Sequence, residues 1–116
     1  MAVLDSILVN ELIDAPITVN TNFTTEIIDI SNREDEFSVQ VVWDNGSSVD
    51  IDIVLEVSSD GTNFAPMSTT NITDAANNLL LDVTGGSGTR FARIHFEVIG
   101  GSVDVSRILY SGKRRH

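Results

Sequence analysis

Two histidines bound the acid–base chemistry open to this chain: His95, inside an alternating run, and His116 at its end. A hydrolytic triad needs a histidine oriented by an acid and within reach of a nucleophile. His95 stands between Arg93 and Glu97 on the charged side of its run, where a surface histidine is expected. No G-x-S-x-G elbow occurs. Asp50 and Asp52, two residues apart on one strand face, would be separated by about 7 Å. Glycosidic chemistry needs two carboxyl groups facing each other across the scissile bond, and neighbouring acids on an exposed strand are expected to be solvated instead. The same acids, or Asp60 and Asn63 in the turn, offer oxygen ligands to Ca²⁺, yet nothing has the spacing of a D-x-[DN]-x-[DN]-G loop, so a metal-free turn is expected. Gly85-Gly86-Ser87-Gly88 could cradle a phosphate only at a helix start, and no helix is expected after it. Sugar stacking would fall to Phe64, Phe91 or Tyr110, since Trp43 is expected to be buried. No catalytic residue, cofactor or metal site is expected.

The elements that would hold these residues are strands. Alternation of apolar and polar residues recurs, while helix-period spacing is confined to Leu4, Leu8 and Leu12. Thr24–Ile30 reads as one strand, followed by an acidic turn around Arg33. Phe37, Val39, Val41 and Trp43 share one face. Asp44-Asn45-Gly46-Ser47 then reads as a type I′ hairpin, which requires φ > 0 at both central residues. The returning strand carries Val49, Ile51, Ile53, Leu55 and Val57 inward and Asp50, Asp52 and Glu56 outward. Ser59–Asn63 is a turn after which Phe64 leads back to the core. Residues 68–78 read as a long loop or weak edge strand, and Leu79, Leu81 and Val83 resume the alternation. Ala92, Ile94, Phe96 and Val98 oppose Arg93, His95 and Glu97 in the next strand. Gly100-Gly101 reads as a second hairpin, leading to a last strand with Val103, Val105 and Leu109 inward. Residues 1–19 are an N-terminal arm or first strand, 20–112 the domain, and 113–116 a mobile basic tail. Seven or eight short strands with Gly-rich turns predict an all-β, two-sheet antiparallel β-sandwich, jelly-roll or immunoglobulin-like. Its core anchors are Phe37, Val39, Val41 and Trp43, then Ile51, Ile53 and Leu55, then Phe64, Ile94 and Phe96.

With 116 residues the chain can bury one core, and 41% hydrophobic content argues against disorder. Cysteine is absent, so no disulfide or thiolate site supports the fold. A net charge of −10 disfavours a phosphate backbone as partner, so nucleic-acid binding is not expected. The first stretch lacks a basic region and is interrupted by Asp5, Asn10, Glu11 and Asp14, so neither a secretory signal nor a membrane span is expected. Residues 1–60 hold 13 acids against Arg33, giving −12, while residues 61–116 hold 4 acids and 6 bases, giving +2. This division could set an acidic side of one copy against a basic side of the next, or simply keep the surface hydrated.

The order Ser38-x-Gln40-x-x-Trp43, Ser58-x-Asp60-Gly61-x-x-Phe64, Phe91-x-Arg93 and Gly112-Lys113 resembles small β-sandwich proteins encoded in bacteriophage genomes. Their pattern is roughly S-x-Q-x-x-W, S-x-D-G-x-x-W/F, Y/F-x-R and G-K. Phe64 and Phe91 stand where that pattern commonly has Trp and Tyr. The resemblance spans about residues 20–113. It implies a non-enzymatic virion structural protein, assembled in the bacterial host cytoplasm as a homo-oligomer, with a trimer favoured. Such a protein would decorate the capsid or sit at the base of a head fibre, with the major capsid protein among its partners. The interaction residues it would offer are Arg33, Arg93 and Arg107, with Lys113, Arg114 and Arg115 in the tail, and residues 1–19 as an arm contacting neighbours. The alternative is a carbohydrate- or receptor-binding module on a tail or cell surface.

Overall fold

A computed structural model describes the backbone of residues 5–13, 16–29, 36–84 and 90–115, and the side chains of 16–29, 38–82 and 90–111. Arg33, Gly85–Gly88 and His116 lie outside these, as do the side chains of Phe37 and of Lys113, Arg114 and Arg115. The described elements are all strands: β1 (Asp5–Ile13), β2 (Ile17–Val19), β3 (Phe23–Thr24), β4 (Ile28–Asp29), β5 (Glu36–Ser58), β6 (Ala65–Ile72), β7 (Asn77–Thr84) and β8 (Phe91–Arg115).

Two long strands, β5 and β8, pair antiparallel along almost their whole length, and all other strands add to their outer sides. β7 and β6 line the far side of β5, and β1 to β4 line the far side of β8. The ribbon bends midway, where Asp44 faces Asp104, Ser47 faces Ser102 and Asp50 faces Gly100. Three residues of β5 cover each stretch that two residues of β8 cover, and such bulges turn a strand through a corner from one layer to the other. Val39, Val41, Ile51, Ile53, Leu55, Ile94, Phe96 and Ile108 are 0% exposed. With no helix among the described residues, only one half of the ribbon can cover the other. The result is a two-layer antiparallel sandwich whose sheet is not closed. One layer runs β1/β2–β8–β5–β7, the other β3/β4–β8–β5–β6.

The bend replaces both expected hairpins. A type I′ turn would need positive φ at Asn45 and Gly46, but the positive values fall at Asn45 (53°) and Ser48 (49°). Gly46 is needed for close approach. Its N–H donates to the Ala75 carbonyl at 2.8 Å, and a Cβ there would come within 2.7 Å of Ala75 Cα. Gly101, at φ 73°, lies so close to the Ser47 and Ser48 carbonyl oxygens that a Cβ would overlap them. Trp43, 3% exposed, donates its indole N–H to the Asp74 carbonyl at 2.9 Å, satisfying a buried donor and tying the 73–76 link to the corner.

Other expectations are corrected. Trp43 faces Val105 but Val42 faces Arg107, so Ser106 is an extra residue in β8. It reverses the phase, placing Ile108 inside and leaving Leu109, expected inward, on the outer side. Thr24–Ile30 is not one strand, because β3 and β4 are separated where Thr25 takes over the ladder: its Oγ1 accepts the Ile94 N–H at 3.0 Å. Of the two readings of residues 68–78, the edge strand holds for most of the segment, with only 73–76 outside β6 and β7. Residues 113–115 are not a free tail but the end of β8, facing Asp5–Ile7 of β1, and of the two readings of residues 1–19 the described part is strand, in β1 and β2. Phe64 is not a core anchor, being partly buried beneath Arg93 outside the core.

Gly101→Ala is expected to lower unfolding free energy by at least about 2 kcal/mol in urea titration, because it adds both left-handed strain and overlap with backbone. A change under about 0.5 kcal/mol, the range of an ordinary surface substitution, would contradict the corner described here. Trp43→Ala, which removes a large buried side chain and its bond to Asp74, is expected to cost about 3–5 kcal/mol by the same titration.

Candidate functional site

The residues able to do chemistry collect on the outer face of the β3/β4–β8–β5–β6 layer. Strand alternation brings them there: with Ala92, Ile94 and Phe96 inward, Arg93, His95 and Glu97 must point out. Register then sets Arg93 beside Glu56, His95 beside Val54 and Glu97 beside Asp52, with Asn71 of β6 on the far side of Asp52.

His95 has an acid and a hydroxyl as neighbours. Its Nδ1 shares a 2.7 Å hydrogen bond with Thr24 Oγ1, and its Nε2 lies 2.9 Å from Glu97 Oε2. In a serine-hydrolase triad the acid holds Nδ1 and the hydroxyl meets Nε2. Here the order is reversed, and the residues belong to adjacent strands. Asn22 extends the chain, donating from Nδ2 to Glu97 Oε2 at 3.0 Å and accepting the Val98 N–H on Oδ1 at 2.8 Å. The Asn22 amide thus occupies the place of a ladder residue where the edge chain turns away. The histidine bond, followed by the Asn22 bond, holds the Glu97 carboxyl below its usual range. The network clamps residues 22–24 to β8.

Asp50 and Asp52 both accept from a single group, Asn71 Nδ2, at 2.8 and 2.9 Å. They therefore point across their own sheet to β6, not at each other across a substrate. Arg93 Nε binds Glu56 Oε1 at 2.7 Å, and its Cζ lies 4.1 Å from the centroid of the Phe64 ring. That stacking occupies one face of Phe64 and holds Arg93, an expected interaction residue, against its own sheet. Phe91 is partly buried with its ring against Gly61. Arg107 is exposed on the outer side of the other layer, away from this group.

The Asp60 turn is built by its own side chains. Asp60 Oδ1 accepts the N–H groups of Asn63 and Thr62 at 2.8 and 2.9 Å, Asn63 Nδ2 donates to Oδ2, and Ser58 Oγ donates to Oδ1. Those donors, the two backbone groups foremost, hold the carboxyl far below its ordinary range. These donors meet both carboxylate oxygens of Asp60. Asp104, near the corner, accepts from Thr18 Oγ1 at 2.7 Å and Asn45 Nδ2 at 3.1 Å, and is lowered for that reason. Sequence reasoning missed Asp104, Asn22, Thr25 and Asn71, whose partners are 86, 75, 69 and 21 residues away and leave no local signal. Among the described residues, no group of three or more His, Cys, Asp or Glu is placed to hold a metal ion, and no helix is long and apolar enough to cross a membrane.

No family model matches this chain, and no curated protein does. Solved structures do match. The SPBc2 prophage-derived protein YomS superposes with a TM-score of 0.61 at 14% identity, over 98% of each chain. The enzymatically active domain of tailspike protein 4 from bacteriophage CBA120 gives 0.59 at 13% identity, over 93% of this chain and 18% of the tailspike chain. A Bacillus endospore appendage that forms disulfide-linked pili gives 0.56 at 11%, over 96% and 89%. At such identities the likeness is one of fold.

Asp60, Glu97 and Asp104 all have folded-state pKa values below those of unfolded carboxyls, so their contribution is complete above about pH 5 and is lost as pH falls through the folded values. Thermal melts of Asp60→Asn should therefore lie below those of the native chain at pH 7 and converge on them toward pH 2, where the advantage of the native carboxylate has diminished. A pH-independent offset would contradict the assignment. Arg93→Ala should cost about 1 kcal/mol in urea titration through its lost ion pair and ring contact.

Proposed function

We propose that this chain is a non-enzymatic structural protein of a bacteriophage virion. It acts as a homo-oligomeric decoration of the head, or at the base of a head fibre, binding subunits such as the major capsid protein. The observation that carries this reading is how the polar side chains are used. His95, Glu97, Asn22, Asn71 and Arg93 hold neighbouring strands together and do not converge on a common point where a substrate atom could sit. Meanwhile the open sandwich leaves sheet edges for contact with other chains. The whole-length likeness to a prophage-derived protein supports the same setting by analogy of fold. The carbohydrate-binding alternative is less favoured, because Phe64 has one stacking face under Arg93.

Light scattering and negative-stain microscopy of the purified full chain test the reading, together with a glycan array. A discrete symmetric oligomer that retains no glycan is expected. A monomer at high concentration, or specific retention of one glycan class, would contradict it.

A further inference from the structure

The edges of this sheet differ in their readiness to accept another strand. β6 is interrupted by a register shift opposite Leu55/Glu56 and carries Pro66, both of which blunt an edge. β3 and β4 have two residues each. β1 shifts register between Glu11 and Ile13 and carries Asp5 and Glu11. β7, by contrast, pairs with β5 over eight residues without a shift, and its sequence NNLLLDVT holds a single charge and no Pro. In its middle Leu80 is 58% exposed.

The phase of the hydrogen bonding on β7 can be read from its neighbours. The Val42 carbonyl accepts from Ser106 Oγ at 3.2 Å, so Val42 turns its backbone groups toward β8. Alternate residues of β5 turn the other way, so Val41 and Val39 bond Leu79 and Leu81 of β7. Asn78, Leu80 and Asp82 then direct their N–H and C=O groups to the edge that no described strand pairs. The Asn78 N–H agrees with this phase, since it is met by the side chain of Asn77 at 2.9 Å.

We propose that β7 is the edge through which two copies of this chain join, as antiparallel strands related by a two-fold axis at Leu80. This deepens the reading of the chain as an assembling protein and rests on it. The sequence of β7 is self-complementary in this register. Leu80 meets Leu80 of the second copy and covers its own exposed side chain. Asn78 meets Asp82, an amide donor opposite a carboxylate, and no like charges oppose each other. Leu79 and Leu81, which pack against the core, meet on the inner face. Leu80 and the Asn78–Asp82 positions become hydrogen-bonded pairs, the Asn78 N–H exchanging the Asn77 side chain for the second copy, so the β1/β2–β8–β5–β7 layer continues from one copy into the next. Because the contact is isologous it closes at two copies, not at the three that the phage resemblance implies. The net charge of −10 opposes approach of the copies, so the dimer should strengthen as salt screens that repulsion.

The test is sedimentation of the full chain against concentration and salt, for the native sequence and for Leu80→Lys. A dimer is expected that tightens with salt and that Leu80→Lys weakens about tenfold or more, since the substitution sets like charges opposite each other. Circular dichroism checks that the variant is folded. The chain has no cysteine, so Leu80→Cys gives a single thiol about 5.5 Å from its mate, measured between Cα atoms. A short bismaleimide should link it into a covalent dimer, whereas Thr69→Cys on β6 should not be cross-linked. An oligomer that Leu80→Lys leaves intact, or one that salt dissolves, would overturn the β7 contact while preserving the assembly reading. A monomer under all conditions would overturn both.

Discussion

The corner shared by β5 and β8 is the constraint on which the rest of this structure depends. A long two-stranded ribbon has one apolar face and, left flat, would leave it in water. Here Gly101 is pressed against the carbonyls of Ser47 and Ser48, and Gly46 against Ala75, so the ribbon turns back on itself at one level. The same two strands thereby supply both layers, and rows such as Val39–Val41 and Ile51–Ile53–Leu55 cover one another. Burial of that many branched side chains is the dominant favourable contribution, and it is available only once the corner is made. Trp43 belongs to both: its ring fills the core and its N–H holds the link that crosses between layers.

The outer faces follow from this arrangement. Every residue adjacent to an inward one in β8 and β5 must point outward, and around His95 these positions are filled by groups that bond across to the next strand. Side chains also replace backbone where the edge chain departs from the ladder, as Asn22 does for Val98 and Thr25 for Ile94. A surface whose polar groups already satisfy one another is well suited to rigidity and poorly suited to proton transfer, which needs a group whose partner is the substrate. What stays available among the described residues is the backbone at the sheet edges.

The alternation of Val39, Val41, Trp43, Ile51, Ile53, Leu55, Ile94 and Phe96 made strand class and inward face legible, because a period of two survives any topology. Connectivity was not legible. Asn45-Gly46 and Gly100-Gly101 have the composition of hairpin turns, and a corner made of bulges needs Asn45, Gly46 and Gly101 for the same reason, namely positive φ or absence of a Cβ. One extra residue, Ser106, reversed the phase at Ile108 and Leu109, and no local pattern marks a bulge of that kind. Phe64 was misplaced because an aromatic after a turn can cover a core or lie under an arginine, and Arg93 is 29 positions away. The polar cluster was only half visible: His95, Arg93 and Glu97 were legible as a wet face, whereas Thr24, Asn22 and Asn71 enter it through pairing of distant strands.

The claim that one bent ribbon builds both layers is tested most directly by nuclear Overhauser contacts between backbone protons. The described register predicts close α-proton contacts of Val39 with Tyr110 and of Val41 with Ile108, together with cross-strand contacts linking Ile53 to Phe96. Contacts joining Trp43 to Ser48 and Val42 to Val49 across a local two-residue turn, with those to β8 missing, would contradict it.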